Sequence, residues 1–249
     1  MIVAVHQPHL LPWLGYLDRM RQADLFVVLD HVQFERRNYQ NRTRIRLDGK
    51  AHWITVPVQQ HSQQERIIDK RVDNPPPDEV RWWGANLCRT LKHAYRNAPF
   101  YADYGAELCR ILEARWERLV DIDQATLDLL RDAFDIRTPL ATSSELGVPG
   151  VKSDLILNLC RAAGADTYLA GLGGSRHYLD RDAFAAAGME IAWQQFEHPR
   201  YPQDGDAEFI PGLSAVDLLF SEGPRSRELL QGARAPAAAD AAGCLLATA

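Results

Sequence analysis

The chain has 249 residues, 46% of them hydrophobic and 24% charged, which is enough to bury a sizeable core and excludes a disordered chain. Its net charge of -5 and pI near 5.9 give no general electrostatic attraction for a polyanion, so nucleic acid is not an expected partner. The four cysteines form no CxxC pair, which argues against a zinc site and a disulfide framework and favours reduced thiols.

Strand and helix patterns alternate near both ends of the chain. Continuous apolar runs at 2–6 and 25–30 are typical of strands buried on both faces, and the stretch between them predicts a short helix. Residues 152–165 predict another helix and 167–171 the strand after it, and a further helix and strand follow within 180–196. This alternation predicts an α/β fold, with a parallel or mixed sheet and flanking helices.

The middle and the end of the chain differ from this pattern. Residues 52–58 and 65–73 resemble two strands of an antiparallel excursion, and helical periodicity dominates from about 77 to 134. We therefore predict a single domain over residues 1–225 with a mainly helical insertion at 77–134. The alanine-rich residues 226–249 have few groups that could anchor them to a core, and we expect a flexible tail there.

Polar clusters follow three of the predicted strands. His6 and Gln7 follow the first strand, Asp30 and Gln33 follow the second, and the glycine-rich residues 171–178 follow a later one. Parallel sheets bind ligands at the carboxyl ends of their strands. We therefore predict that these clusters form a small-molecule site.

The segment HQPHLLPW begins at the first of these clusters. His6 is a candidate general base, with the alternative that it caps the next helix or bonds a backbone carbonyl. We interpret His9 as a surface or turn residue. Trp13 is predicted to fix the start of the helix and to form the wall of the site behind His6 and Gln7.

The segment AGLGGSRHYLD offers backbone N–H groups just after a strand, which suits phosphate or another anion. Arg176 stands where a GxGxxG fingerprint has its third glycine, so a dinucleotide site is not supported. A plain glycine turn is the alternative. The candidate binding residues of this segment are Gly171, Gly173, Gly174, His177 and Tyr178.

Residues 30–47 form the most cationic segment. Arginine binds carboxylate or phosphate through two parallel hydrogen bonds, and Arg37, Asn41 and Arg42 are candidates for contact with an anionic substrate. The alternative is that Arg42, Arg44 and Arg46 line the solvated face of an edge strand.

The segment QQFEHPRYPQ contains a histidine flanked by a rigid proline-rich loop. His198 is a second candidate base, and Gln203 is a candidate substrate contact. The alternative is that this loop only closes the domain.

Five segments resemble the WbqC-like family in order and spacing, and they cover residues 2 to 223. They are IVAVHQPHLLPWLGYLDRM, ADLFVVLDHVQFERRNYQNRTRI, WITVPV, GADTYLAGLGGSRHYLD and QQFEHPRYPQ...FIPGLSAVDLLF. The resemblance implies an association with bacterial O-antigen or other glycan clusters, or with specialised-metabolite clusters. It also implies acyl or aminoacyl transfer onto an amino sugar, and it assigns no catalytic residue.

We therefore predict a biosynthetic transferase whose partners are an amino sugar and an activated acyl donor. His6 or His198 would act as base, and Asp30 would orient a histidine or bind the amine. We predict no cofactor and no metal. No run approaches the roughly 20 apolar residues of a membrane span, and the first residues carry no basic leader, so we expect a cytoplasmic protein.

Two alternatives come from other functional classes. The element His6-x-Pro8-His9 is similar to the HxGH element of nucleotidyltransferases, although proline replaces its glycine. The other alternative is a non-catalytic binding protein of a biosynthetic complex.

Overall fold

The fold is organised around a five-stranded sheet whose neighbouring strands all run parallel. A computed structural model describes residues 1–76, 82–171, 173, 178–203 and 208–233. The strands of the sheet are β1 (Ile2–His6), β2 (Leu25–Val28), β5 (Leu140–Thr142), β6 (Thr167–Ala170) and β7 (Glu190–Trp193). Their spatial order is β5-β2-β1-β6-β7. The predicted α/β fold with a parallel sheet is confirmed.

The central strand β1 is where the direction of chain winding reverses. From β1 the chain proceeds to β2 and β5 on one side, and it later crosses to β6 and β7 on the other side. Such a reversal leaves a crevice outside the carboxyl ends of the two strands that flank it, here β1 and β6. The sheet topology therefore places a ligand crevice beside His6.

Nine helices are described. They are α1 (Leu14–Gln22), α2 (Trp83–Tyr95), α3 (Tyr101–Leu112), α4 (Leu119–Ala133), α5 (Ser143–Leu146), α6 (Lys152–Ala162), α7 (Arg181–Ala186), α8 (Ala215–Glu222) and α9 (Ser226–Gly232). Short 3-10 turns lie at Ile67–Asp69 and Gly223–Arg225. None of these helices combines the length and apolarity that crossing a bilayer requires.

Helices cover both faces of the sheet because neighbouring residues of a strand point to opposite faces. Val3 and Val5 of β1 pack into a cluster with Leu155 and Leu159 of α6. Ala4 packs on the other face, in a larger cluster that also contains buried residues of α1 and of α2, α3 and α4. The three helices found where a helical insertion was expected thus share one hydrophobic core with the sheet.

A two-stranded antiparallel ribbon, β3 (Arg42–Leu47) and β4 (Lys50–Thr55), lies apart from the main sheet. The strand predicted at 65–73 is wrong, because the residues there form a 3-10 turn with isolated bridges. The N–H groups of Ile67 and Ile68 donate to carbonyls of Val32 and Asp30 in the loop after β2, so they are not available for a strand ladder.

The arginines of β3 do not line a solvated face, and that interpretation is corrected. Arg42 stacks over the ring of Trp53, with its guanidinium carbon 4.1 Å from the ring centroid. Arg44 donates to the Pro211 carbonyl at 2.9 Å. Arg46 is buried and donates to Gln203. Each side chain is occupied by a tertiary contact that the alternation of residues does not reveal.

The segment expected to be a flexible tail begins as a helix. Ser226 and Leu230 of α9 are buried, and the Ser226 hydroxyl donates to the Leu218 carbonyl at 3.1 Å. Residues 234–249, the rest of the expected tail, lie outside the described residues.

A buried polar cluster joins α2, α8 and the ribbon, and it yields a stability prediction. The Tyr95 hydroxyl donates to Asp217 at 2.9 Å and accepts from the Arg46 N–H. Tyr95→Phe is expected to lower the free energy of unfolding by about 1–3 kcal/mol, because it leaves buried groups without a partner. Urea titration measures this, and half-buried Tyr104→Phe on α3 is the control. Equal effects of the two variants would contradict a role for the Tyr95 hydrogen bonds.

Candidate functional site

A cavity of about 680 Å³ opens at the carboxyl ends of β1 and β6. Its volume lies in the range of small-molecule sites, about 300–1,000 Å³. Six of the residues predicted from the sequence line this crevice: His6, Gln7, Trp13, Gly171, Gly173 and Tyr178. The candidates Gly174 and His177 lie outside the described residues.

The His6 side chain is held by its own backbone. Its Nδ1 lies 2.9 Å from the Gln7 carbonyl oxygen. A carbonyl only accepts, so this contact assigns the proton of the neutral ring to Nδ1 and leaves a lone pair on Nε2. The carbonyl contact that the sequence offered as an alternative to a role in the site therefore coexists with His6 lining the crevice. It presents a proton acceptor suited to a general base.

A chain of side-chain amides orients Gln7. The Glu35 N–H donates to Gln40 Oε1 at 2.9 Å, so Gln40 presents its NH₂ group to Gln7 Oε1, also at 2.9 Å. The oxygen of Gln7 is thereby occupied, which assigns its own NH₂ group as a hydrogen-bond donor at the crevice. Such a donor can stabilise negative charge that develops on a carbonyl oxygen.

His9 lies in the interior, which corrects its interpretation as a surface or turn residue. Its ring stacks on Tyr16 and Tyr39, with centroids 5.1 and 5.3 Å away, and meets the edge of His6 at 4.6 Å. Burial lowers the pKa of His9 to about 3, so the ring is neutral at pH 7. The rings of Tyr16 and Tyr39, which lie further along the chain, create this burial. The local sequence around His9 does not predict these contacts.

Acid is expected to destabilise the protein through His9. Because its pKa falls from 6.5 in the unfolded chain to about 3 in the fold, the unfolded state binds more protons between those values. The free energy of unfolding then decreases as pH falls through this window, by up to about 1.4 kcal/mol per pH unit. Urea titrations at about pH 7 and about pH 5 should show a shallower loss for His9→Phe than for wild type. Equal losses would contradict a neutral, buried His9.

Arg19 of α1 brings a buried positive charge to the crevice. Its side chain is only 6% exposed, and no carboxylate of the described ranges lies within ion-pair distance of its guanidinium. The neighbouring Asp18 is paired with Arg21 instead, at 3.0 Å. Burial lowers the pKa of Arg19, yet a guanidinium remains protonated at neutral pH. A buried cation that faces a cavity favours an anionic ligand.

Two glycines allow the walls of the crevice to close up. A Cβ on Gly171 would overlap the Arg19 guanidinium, and a Cβ on Gly15 would overlap the Trp13 indole. Gly171, which follows β6, therefore allows the Arg19 guanidinium to approach the backbone closely. Gly15, in α1, allows the Trp13 indole to lie over the first turn of that helix.

Seven polar or aromatic lining residues were not predicted as site residues: His9, Arg19, Glu35, Asn38, Tyr39, Gln194 and Phe196. Arg19 resembles an ordinary cation of a helix C-terminal turn. Gln194 follows β7, so its position at a strand end was an available signal. Asn38 lies within the cationic segment 30–47, where its amide donates to Glu35 at 2.8 Å.

Asp30 does not line the crevice and does not contact His6. Its carboxylate accepts from the Ser143 hydroxyl at 2.8 Å and from the Ser144 N–H at 2.9 Å and hydroxyl at 2.6 Å. These contacts join the end of β2 to the start of α5. Asp30 lines a second, smaller cavity instead.

The candidates of the HPRYPQ segment lie behind the crevice. His198 packs edge-on against Phe196 and Phe209, with Nδ1 3.0 Å from the Pro199 carbonyl oxygen, and burial lowers its pKa. Of these rings, only Phe196 reaches the crevice. Gln203 is occupied on both sides of its amide, since it donates to Asp217 and accepts from Arg46.

The remaining candidates also have other partners and do not line the crevice. The Gln33 amide donates to the Gln63 carbonyl at 2.6 Å. Asn41 donates to the Val56 carbonyl at 2.8 Å. The Arg37 carbonyl accepts from Arg42, and Arg37 itself has a φ of 64°, which turns the loop at that residue. No cluster of three potential metal ligands occurs within the part of the chain that the structure describes.

The fold and the crevice define an α/β protein with a small-molecule-sized site at the reversal of its sheet. The chain belongs to the WbqC-like protein family, which matches residues 7–229, and this confirms the resemblance seen in the sequence. It is similar to the uncharacterized protein Rv1507c of Mycobacterium tuberculosis (strain ATCC 25618 / H37Rv), with 29% identity over 93% of this chain and 98% of that protein. No solved structure matches it.

Proposed function

We propose that the protein is a transferase that moves an acyl or aminoacyl group onto the amine of an amino sugar. The observation that carries the proposal is that one crevice holds His6, with its free Nε2, and Arg19, a buried cation that pairs with no carboxylate of the described residues. A base and an anion-binding group in one small-molecule-sized cavity match the needs of this reaction.

In the proposed reaction the amine nitrogen attacks the activated carbonyl carbon. The new C–N bond forms as His6 Nε2 accepts the amine proton, and the Gln7 NH₂ group donates to the oxygen on which charge develops. The bond to the leaving group then breaks, and that group departs with the electron pair and takes up the proton. Arg19 holds the phosphate or carboxylate of a substrate.

The proposed setting is cytoplasmic biosynthesis of an O-antigen, another polysaccharide or a specialised metabolite. Family membership supports this setting, because the resemblance associates relatives with such gene clusters. An anionic sugar nucleotide is a substrate of the kind that Arg19 suits.

Nucleotidyl transfer is a second candidate. The observation that favours it is the edge contact of His6 and His9, whose centroids lie 4.6 Å apart at the end of the first strand. Two histidines there could stabilise a transferring phosphate, although Pro8 occupies the position of the glycine through which a phosphate would approach.

A thermal-shift screen followed by product detection by mass spectrometry tests both candidates. The probes are nucleotide-activated amino sugars, acyl thioesters, aminoacyl donors and nucleoside triphosphates, each with and without magnesium. We expect an acylated sugar to form at equal rates with wild type and His61→Ala, and about 10²–10⁴-fold more slowly with His6→Ala. Turnover of a nucleoside triphosphate that occurs only when magnesium is present would favour nucleotidyl transfer. Sugar-nucleotide binding without any turnover would identify a non-catalytic binding protein.

A further inference from the structure

A second cavity, of about 260 Å³, shares the His9 ring with the crevice. It is bounded by α4, by the end of β2 and by the start of α5, and His9 lines both this cavity and the crevice. It holds far more than the single water that a small polar void accommodates. The two cavities therefore meet at a neutral imidazole.

Asp123 of α4 is the unusual group in this second cavity. Its side chain is 2% exposed, and neither carboxylate oxygen has a hydrogen-bond partner within the described ranges. The other aspartates of the cavity are satisfied. Asp30 accepts from Ser143 and Ser144, and Asp121 accepts two hydrogen bonds from Arg118. A buried carboxyl without partners is costly, and its presence calls for an explanation.

The groups around Asp123 leave its carboxylate without a charged donor. Among the residues described, His9 Nδ1 and the Tyr16 hydroxyl are also buried without a partner. The one arginine of the cavity, Arg118, is already paired with Asp121. The described residues leave no cation for Asp123, and burial raises its pKa well above the ordinary value. Burial and the charge of Asp123 also raise the pKa of Tyr16.

We propose that this cavity binds the primary ammonium group of a small ligand, with the Asp123 carboxylate and His9 Nδ1 as acceptors. An ammonium group has three donors and no acceptor, which complements these unpartnered atoms. The inference rests on the proposed function and narrows it. An aminoacyl group carries an ammonium beside its reactive carbonyl, so this cavity selects an aminoacyl donor over a simple acyl donor.

Calorimetric titration with alaninamide and propionamide tests the ammonium site. The two probes differ only by the ammonium group of alaninamide, and the amide imitates the aminoacyl carbonyl. Wild type is expected to bind alaninamide at least about tenfold more tightly than propionamide. Because burial raises the pKa of Asp123 and a bound ammonium lowers it, ligand binding should also release protons, and this appears as a dependence of the measured heat on the buffer.

Two variants locate the effect at Asp123. Asp123→Asn keeps the shape of the side chain and is expected to lose both the ammonium preference and the proton release. Asp121→Asn changes a carboxylate that is already paired and should keep both. The other titratable groups that face the cavity are His9, Asp30, Arg118, Asp121 and Glu145. Retained preference in Asp123→Asn would overturn the assignment.

The probe pair on wild type keeps the test independent of whether a variant folds. Equal binding of the two amides, or no binding of either, overturns the ammonium site. His6→Ala should bind alaninamide as tightly as wild type does. A variant that loses turnover but keeps this binding therefore tests the transfer reaction and not the ammonium site. Transfer of acyl and aminoacyl groups at equal rates, without an ammonium preference, would overturn the ammonium site and leave the transferase.

Discussion

His6→Ala is expected to slow group transfer by about 10²–10⁴-fold, the usual contribution of a positioned general base. The hydrogen bond from Nδ1 to the Gln7 carbonyl leaves Nε2 as the only acceptor of the neutral ring. Alanine removes that acceptor, whereas Arg19 and the rest of the crevice remain in place. The loss should therefore fall on kcat more than on KM, measured as initial rates of product formation.

The controls for His6→Ala separate its chemistry from its place in the fold. His61→Ala removes an exposed imidazole whose contact is with Gln59, and its rate should match wild type. His198→Ala should also retain most of the rate, because this ring packs behind Phe196 and does not line the crevice. Normal turnover by His6→Ala would remove the proposed base. A loss with His198→Ala alone would move that role to the second candidate.

The part of the fold that could be predicted depends on local patterns. Strands buried on both faces give continuous apolar runs, so β1 and β2 are visible in the sequence. Polar residues at the carboxyl ends of such strands then point to the crevice, and His6 and Gln7 lie there. Periodicity likewise predicts helices where the structure has α2, α3 and α4.

The part that could not be predicted depends on contacts between distant segments. Asp30 also follows a strand, yet two serines more than a hundred residues later occupy its carboxylate. Asp123 looks like an ordinary polar position of an amphipathic helix, and only the folded chain buries it. A residue at the end of a strand is thus predicted to be near a ligand only when no later segment forms hydrogen bonds with its polar atoms.

Arg19 illustrates the same limit from the opposite direction. Its neighbours in sequence give it the appearance of a surface cation near a helix end, together with Arg21. Gly171, the residue after β6, has no side chain and so leaves room for the buried guanidinium. Arg19 lies in the helix after β1, and Gly171 lies after β6. No local sequence pattern predicts that the two meet.

Arg19→Met is expected to weaken binding of an anionic substrate by about 10–100-fold, the loss of charge-assisted hydrogen bonds worth about 1.5–3 kcal/mol. Methionine fills a similar apolar volume without the charge. Because Arg19 forms no ion pair within the described residues, its removal should leave the free energy of unfolding unchanged or raised. Calorimetry with the substrate found in the screen, and urea titration, measure the two quantities.

Arg21→Met, two residues further along α1, should show the opposite pattern. Arg21 pairs with Asp18, which is fully buried, so its loss leaves a buried carboxylate without its cation. That is expected to lower the free energy of unfolding by about 1–3 kcal/mol, since Gln22 and Gln194 still donate to Asp18, and to leave the affinity of the folded protein close to wild type. If Arg19→Met instead lost stability and kept its affinity, Arg19 would be a structural residue, and the anionic substrate would need another cation.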